Sequence, residues 1–146
     1  MIPLLALSLG LFINANTQAA TAPEILKADS SETSYLVNSN SPLISIPLES
    51  NRTTGYNWYL EEYNEKLIQP ITSYYDSDTN SRQSGMVGTP GVTTWKFTIL
   101  EPAFQVPTVT KIVLRYAKSW NQSSSITKTI WIYTSGLQTQ SVTSSH

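Results

Sequence analysis

Side chains able to do covalent chemistry are scarce in this chain. It has no cysteine, and its single histidine, His146, is the last residue of a Ser/Thr-rich tail. The first fact excludes thiol catalysis, redox work and thiolate metal sites. The second disfavours a Ser-His-Asp triad or an imidazole metal site, because both need a buried, oriented ring and a frayed terminus does not hold one. Glu61, Glu62 and Glu65 could supply the carboxylate pair of a glycosidase, yet clustered glutamates after a strand more often line a solvated edge and turn. Most enzyme mechanisms are thereby removed, and no catalytic residue, metal or cofactor is expected. Recognition chemistry is better represented. Asn51-Arg52-Thr53-Thr54-Gly55-Tyr56-Asn57-Trp58 sets two β-branched threonines and a glycine between strand-like runs. Threonine has few rotamers to lose on binding, and a glycine tolerates a positive φ that strains other residues. A stiff projecting loop fits these residues, and so does an ordinary polar turn.

Such a loop needs strands on both sides. Ile44, Ile46 and Leu48 alternate upstream, and Tyr56, Trp58 and Leu60 alternate downstream against Asn57, Tyr59 and Glu61. That period of two belongs to half-buried strands. The same pattern predicts strands over about 43–49, 56–62, 94–101, 111–117 and 127–134, with weaker ones near 35–38 and 66–73. An extended arm or short first strand is expected within 21–33. Seven short strands without a helix argue an all-β antiparallel sandwich. Its core is expected to take Ile44, Ile46, Leu48, Tyr56, Trp58, Leu60, Trp95, Phe97, Ile99, Ile112, Leu114, Tyr116, Ile126, Ile130 and Ile132. Pro47 lacks an N–H and falls on the outward phase, which predicts an edge or bulged strand. The two prolines in Glu101–Pro107 mark a loop, and the Ser-, Asp- and Asn-rich stretch 74–88 reads as a surface excursion. Trp120 lies beyond the alternating strand among polar residues, as a binding anchor would.

With 146 residues the chain has the length of one domain. A net charge of −1 with only 13% charged residues offers no basic stripe to neutralise phosphates, so nucleic acid is not an expected partner. The apolar run Pro3–Ile13, followed by polar residues and Ala19-Ala20, has the form of a signal peptide over 1–19, although its start carries no Lys or Arg. The run is too short to span a bilayer as a helix, so no membrane association is expected after cleavage. The expected mature unit is a single, monomeric domain over 20–146 with a disordered tail from about 136. It would lie in the secretory pathway, secreted or held in lysosome-like or phagosomal vesicles. Asn51-Arg52-Thr53 and Asn121-Gln122-Ser123 are sequons for glycosylation.

Three motifs in order carry a resemblance to a known family. Asn-x-Thr-Thr-Gly-Tyr-x-Trp at 51–58 resembles the first signature loop of the chagasin-type inhibitors of papain-family cysteine proteases. Gly88-Thr89-Pro90-Gly91-Val92-Thr93-Thr94-Trp95-Lys96-Phe97 resembles the second, a glycine-rich turn entering an aromatic strand. Tyr116-Ala117-Lys118-Ser119-Trp120 resembles the third, usually Tyr-x-Arg-Pro-Trp, with Lys118 and Ser119 replacing the arginine and proline. Three ordered motifs are far more specific than one. The resemblance implies an immunoglobulin-like sandwich with its binding loops at one end. It also implies reversible, tight inhibition of a papain-family cysteine protease, with the Thr53-Thr54-Gly55 loop entering the active-site cleft and Asn51, Arg52 and Tyr56 sharing in the protease contact. Gly88, Thr89, Pro90 and Gly91 would grip one wall of the cleft, and Lys118, Ser119 and Trp120 the other. Lysine keeps the positive charge but loses the planar fork of arginine. A rival reading is a secreted immunoglobulin-like adhesion or carbohydrate-binding module using Tyr74, Tyr75, Trp120 and Trp131 as an aromatic platform.

Overall fold

The structure, a computed structural model, describes residues 24–27, 32–77 and 90–137. The expected signal peptide, Gly88, Thr89 and the tail beyond 137 lie outside the described residues. Among the described residues eight strands form two sheets. They are β1 (Glu24–Lys27), β2 (Glu32–Val37), β3 (Leu43–Ser50), β4 (Tyr56–Tyr63), β5 (Ile68–Ser77), β6 (Gly91–Ile99), β7 (Thr108–Lys118) and β8 (Asn121–Thr134). One sheet has the order β1-β2-β8-β7-β4, and the other β3-β6-β5.

The alternating segments become strands where the period of two places them, some of them longer than expected. β5 runs to Ser77 and so absorbs the start of the stretch read as a surface excursion. β3 is an edge strand, as Pro47 requires. The sandwich is not wholly antiparallel, because β2 pairs with β8 in parallel, Glu32 facing Thr129 through Val37 facing Thr134. No hairpin constrains that pair. β2 is followed in the chain by β3, which lies in the other sheet, so its direction beside β8 is free of the antiparallel rule that a tight turn imposes.

The two inner faces meet in a core of Tyr35, Val37, Ile44, Ile46, Leu48, Ile68, Phe97, Ile99, Ile112, Leu114, Ile130 and Ile132. Alternating isoleucine and leucine give each strand one apolar face, and the sheets stack those faces. A short 3₁₀ turn at Glu101–Phe104 replaces the expected plain loop and plugs one end with buried Ala103 and Phe104. Thr134 anchors it, donating its hydroxyl to the Ala103 carbonyl.

Several residues expected in the core are only half-buried: Tyr56, Trp58, Leu60, Trp95 and Tyr116. Ile126 has the inward phase but is 64% exposed. Its strand is flanked on one side only at that point, because β2 pairs with β8 from Thr129 onward and leaves the preceding residues uncovered.

Candidate functional site

The ends of β3, β5 and β7 and the starts of β4, β6 and β8 lie together at one end of the sandwich. In the smaller sheet Ser50, Gly91 and Ser77 stand in one row, which puts the end of β3 level with the end of β5 and the start of β6. In the larger sheet Tyr56, Lys118 and Asn121 stand in one row, which puts the start of β4 beside the β7–β8 turn. β3 and β4 belong to different sheets. The connection Asn51–Gly55 therefore crosses over the end of the sandwich, with one hairpin on each side.

This bridging loop is held by its own polar groups. Arg52–Thr54 form one turn of 3₁₀ helix capped by Asn51, whose Oδ1 accepts from the Thr53 N–H at 3.2 Å and the Thr53 hydroxyl at 2.6 Å. The Thr54 hydroxyl donates to the Asn51 carbonyl at 2.6 Å. Both threonine protons are thus used inside the loop, which stiffens it beyond what β-branching alone provides. Gly55 ends the turn at φ 80, in the left-handed region, and its N–H donates to the Arg52 carbonyl at 3.1 Å. A left-handed residue after the last helical one suits glycine for lack of a Cβ.

Aromatic rings support the loop from the larger sheet. The Tyr116 ring lies between Tyr56, with centroids 5.1 Å apart, and Trp58, 5.0 Å apart. Its hydroxyl accepts from the Asn51 N–H at 2.8 Å and donates to the Asn51 carbonyl at 3.4 Å. The Trp58 indole N–H donates to the Glu49 carbonyl at 2.8 Å, tying β4 to the end of β3. Trp58 is therefore a rim residue that clasps the two sheets, and not the interior residue its phase suggested.

The flanking hairpins also touch the bridge. Trp120, at the β7–β8 turn, is 73% exposed, yet its ring lies against Gly55: a Cβ at 55 would sit 2.6 Å from the indole. The Lys118 ammonium lies 5.1 Å from the centre of the Tyr56 ring and 6.0 Å from that of Trp120. On the other side the Arg52 guanidinium lies 4.7 Å from the centre of the Tyr75 ring. Tyr75 packs on buried Gly91, where a Cβ would come within 2.6 Å of both its side chain and the Asp76 carbonyl. The two cations of the site are thus placed over ring faces, where the quadrupole attracts them.

The structure brings Asn51, Arg52, Thr53, Thr54, Gly55, Tyr56, Pro90, Gly91, Lys118, Ser119 and Trp120 to one end. Tyr75 and Tyr116 support them and were not among the expected site residues. Tyr116 stood in the third motif but was assigned to the core by its phase, and Tyr75 was named only for the rival aromatic platform. The proposed aromatic platform does not assemble. Tyr74 and Tyr75 are adjacent in β5 and face opposite sides, and Tyr74 sits under Lys96, 5.4 Å from its ring. Trp131 pairs with Ser34 and Lys111 within the larger sheet. Glu61 and Glu62 pair with Arg115 and Lys111, as solvated carboxylates on a sheet face do.

A rigid sandwich that carries one bridging loop between two hairpins has the architecture of a loop-borne binding protein. The family model described as Chagasin family peptidase inhibitor I42 matches residues 39–134, from the turn before β3 to the end of β8. The chain belongs to the chagasin family of peptidase inhibitors, and it is an inhibitor and not an enzyme. Among solved structures it is similar to the crystal structure of a cysteine protease inhibitor from Entamoeba histolytica, with 19% identity over 71% of this chain and 86% of that chain, at a TM-score of 0.53. At that identity the likeness is one of fold. No curated protein matches the chain in sequence.

Proposed function

We propose that this peptidase inhibitor acts on papain-like cysteine proteases, binding reversibly and tightly as a monomer. Thr53, Thr54 and Gly55 enter the active-site cleft and cover its catalytic cysteine and histidine. The loop through Gly88–Gly91 and the turn Lys118–Trp120 grip the two walls. The observation that carries the reading is the path of Asn51–Gly55 from one sheet to the other, which sets the loop of the most complete motif between two hairpins. A loop whose hydrogen bonds are already made loses little entropy when it binds, and affinity then comes from the surface it buries. The Entamoeba histolytica relative in fold inhibits a cysteine protease, which supports the same class of target here.

The same reading takes residues 1–19 as a cleaved signal peptide, places the protein in the secretory pathway, secreted or in vesicles, and leaves it without membrane contact. The deciding experiment is inhibition of papain by nanomolar protein, with Thr54→Asp as the comparison. The introduced carboxylate would carry an unpaired charge into the cleft and has no proton for the Asn51 carbonyl, so inhibition is expected to weaken by about tenfold or more. Absence of inhibition by the unmodified protein would refute the reading, and equal inhibition by the two would remove Thr54 from the contact.

A further inference from the structure

We propose that Tyr116 is a positioning residue for the occluding loop, acting through its hydroxyl while its ring contacts no protease. The inference rests on the reading of Asn51–Gly55 as the inhibitory wedge. The Tyr116 hydroxyl meets both backbone groups of one residue, accepting from the Asn51 N–H at 2.8 Å and donating to its carbonyl at 3.4 Å. Asn51 caps the 3₁₀ turn, and its carbonyl also accepts from the Thr54 N–H at 3.3 Å and the Thr54 hydroxyl at 2.6 Å. Fixing Asn51 therefore fixes the origin of the turn that carries Thr53 and Thr54.

The ring that presents this hydroxyl has little freedom. It is packed between Tyr56 and Trp58, and it stands on β7 opposite Trp58 and Ile126. The root of the loop, by contrast, borders a cleft of about 320 Å³ between Trp58, Pro90, Tyr116 and Ile126. Where a segment borders open space, its position depends on discrete bonds more than on close packing. Tyr116 spans this gap from the larger sheet to the last residue leaving the smaller one. A hydroxyl held by two rings and bonded to both an N–H and a C=O sets height and rotation together, which a single bond does not.

The test is Tyr116→Phe, which keeps the stacked ring and removes only the hydroxyl. Hydrogen exchange at the Thr54 and Gly55 amides is measured by NMR in the free protein, alongside papain inhibition and melting temperature. Tyr35→Phe is the control for general loosening, since it removes a hydroxyl that faces the Ser45 carbonyl in the body of the sandwich. Tyr116→Phe is expected to speed exchange at both loop amides while the Leu114 amide in β7 stays protected, and to raise the inhibition constant about tenfold. Tyr35→Phe is expected to leave the inhibition constant unchanged at temperatures where the protein is folded. Unchanged loop exchange in Tyr116→Phe overturns the inference, and so does an equal loss of inhibition in Tyr35→Phe. The exchange measurement needs no protease, so if the unmodified protein inhibits no papain-like enzyme, the functional reading fails while the role of Tyr116 is still decided.

Discussion

The indole of Trp120 rests on the backbone of Gly55, close enough that a single added methyl at position 55 would lie 2.6 Å from the ring. Two loops that are 65 residues apart in the chain are joined at that point. Glycine is required twice over, once by its φ of 80 and once by the ring above it. Gly55→Ala is expected to lower stability by about 1–2 kcal/mol through backbone strain. It should weaken papain inhibition by more than that strain alone explains, because it also displaces Trp120. Adding Trp120→Ala to Gly55→Ala relieves the clash and leaves the strain, so the double variant should melt no lower than Gly55→Ala. Thermal melts of the three proteins check this, and a fully stable Gly55→Ala would show that the loop can turn without a left-handed residue.

Trp120 and Trp58 separate binding from stability. Trp120 is largely exposed and touches the bridging loop, whereas Trp58 clasps the sheets through the Glu49 carbonyl and packs against the core and Tyr116. Trp120→Ala should cost about 2 kcal/mol of inhibitor affinity with a melting temperature close to that of the unmodified protein. Trp58→Ala should cost about 2–4 kcal/mol of folding stability, combining a large truncation, a lost hydrogen bond and a lost ring contact. Denaturant unfolding and inhibition constants for both variants decide the assignment, and it fails if the two effects are exchanged.

Alkaline pH acts on Tyr35. Burial pushes its phenol above the ordinary tyrosine value of 10.0, because the folded environment disfavours the phenolate. Below that value the residue is neutral in both folded and unfolded chains, and its packing is intact. Above it the unfolded chain releases the proton first, so stability falls as pH rises from about 10 towards the folded value. The measurement is a difference: unfolding free energy against pH for the unmodified protein and for Tyr35→Phe. The variant should show the shallower loss, and parallel curves would remove Tyr35 as the cause.

The sequons at Asn51 and Asn121 lie within the proposed contact. Asn51 caps the bridging turn, and Asn121 opens β8 directly after Trp120. A glycan is bulky and hydrated, and a binding edge must be closely packed and stripped of water. Active protein is therefore expected to be unmodified at both positions, or to inhibit papain more strongly after enzymatic deglycosylation. Mass spectrometry of both asparagines, with inhibition assayed before and after deglycosylation, tests this. Equal inhibition by fully glycosylated and deglycosylated protein would place the binding face elsewhere.

Much of this protein is legible in its sequence. The alternation in 43–48 and 56–60 marks β3 and β4, and Pro47 marks an edge. The lack of cysteine and of any internal histidine disfavours the commoner catalytic mechanisms, and three ordered motifs single out the loops that converge. These features are local: an apolar period reports which face of a strand is buried, and a motif reports what one loop can present. Which sheet a strand joins, and how far its neighbours cover it, are set by pairing between distant segments. For that reason the phase of Ile126 was read correctly and its burial was not, since its cover depends on where β2 stops pairing with β8. Tyr116 and Trp58 likewise have inward phases, but only the tertiary structure shows that they stand at the rim, one bonded to Asn51 and the other to Glu49. The chain alone specifies a stiff threonine loop. The crossing of that loop from one sheet to the other, with Tyr75 and Trp120 against its sides, exists only once long-range strand pairing has brought the two hairpins to the same end.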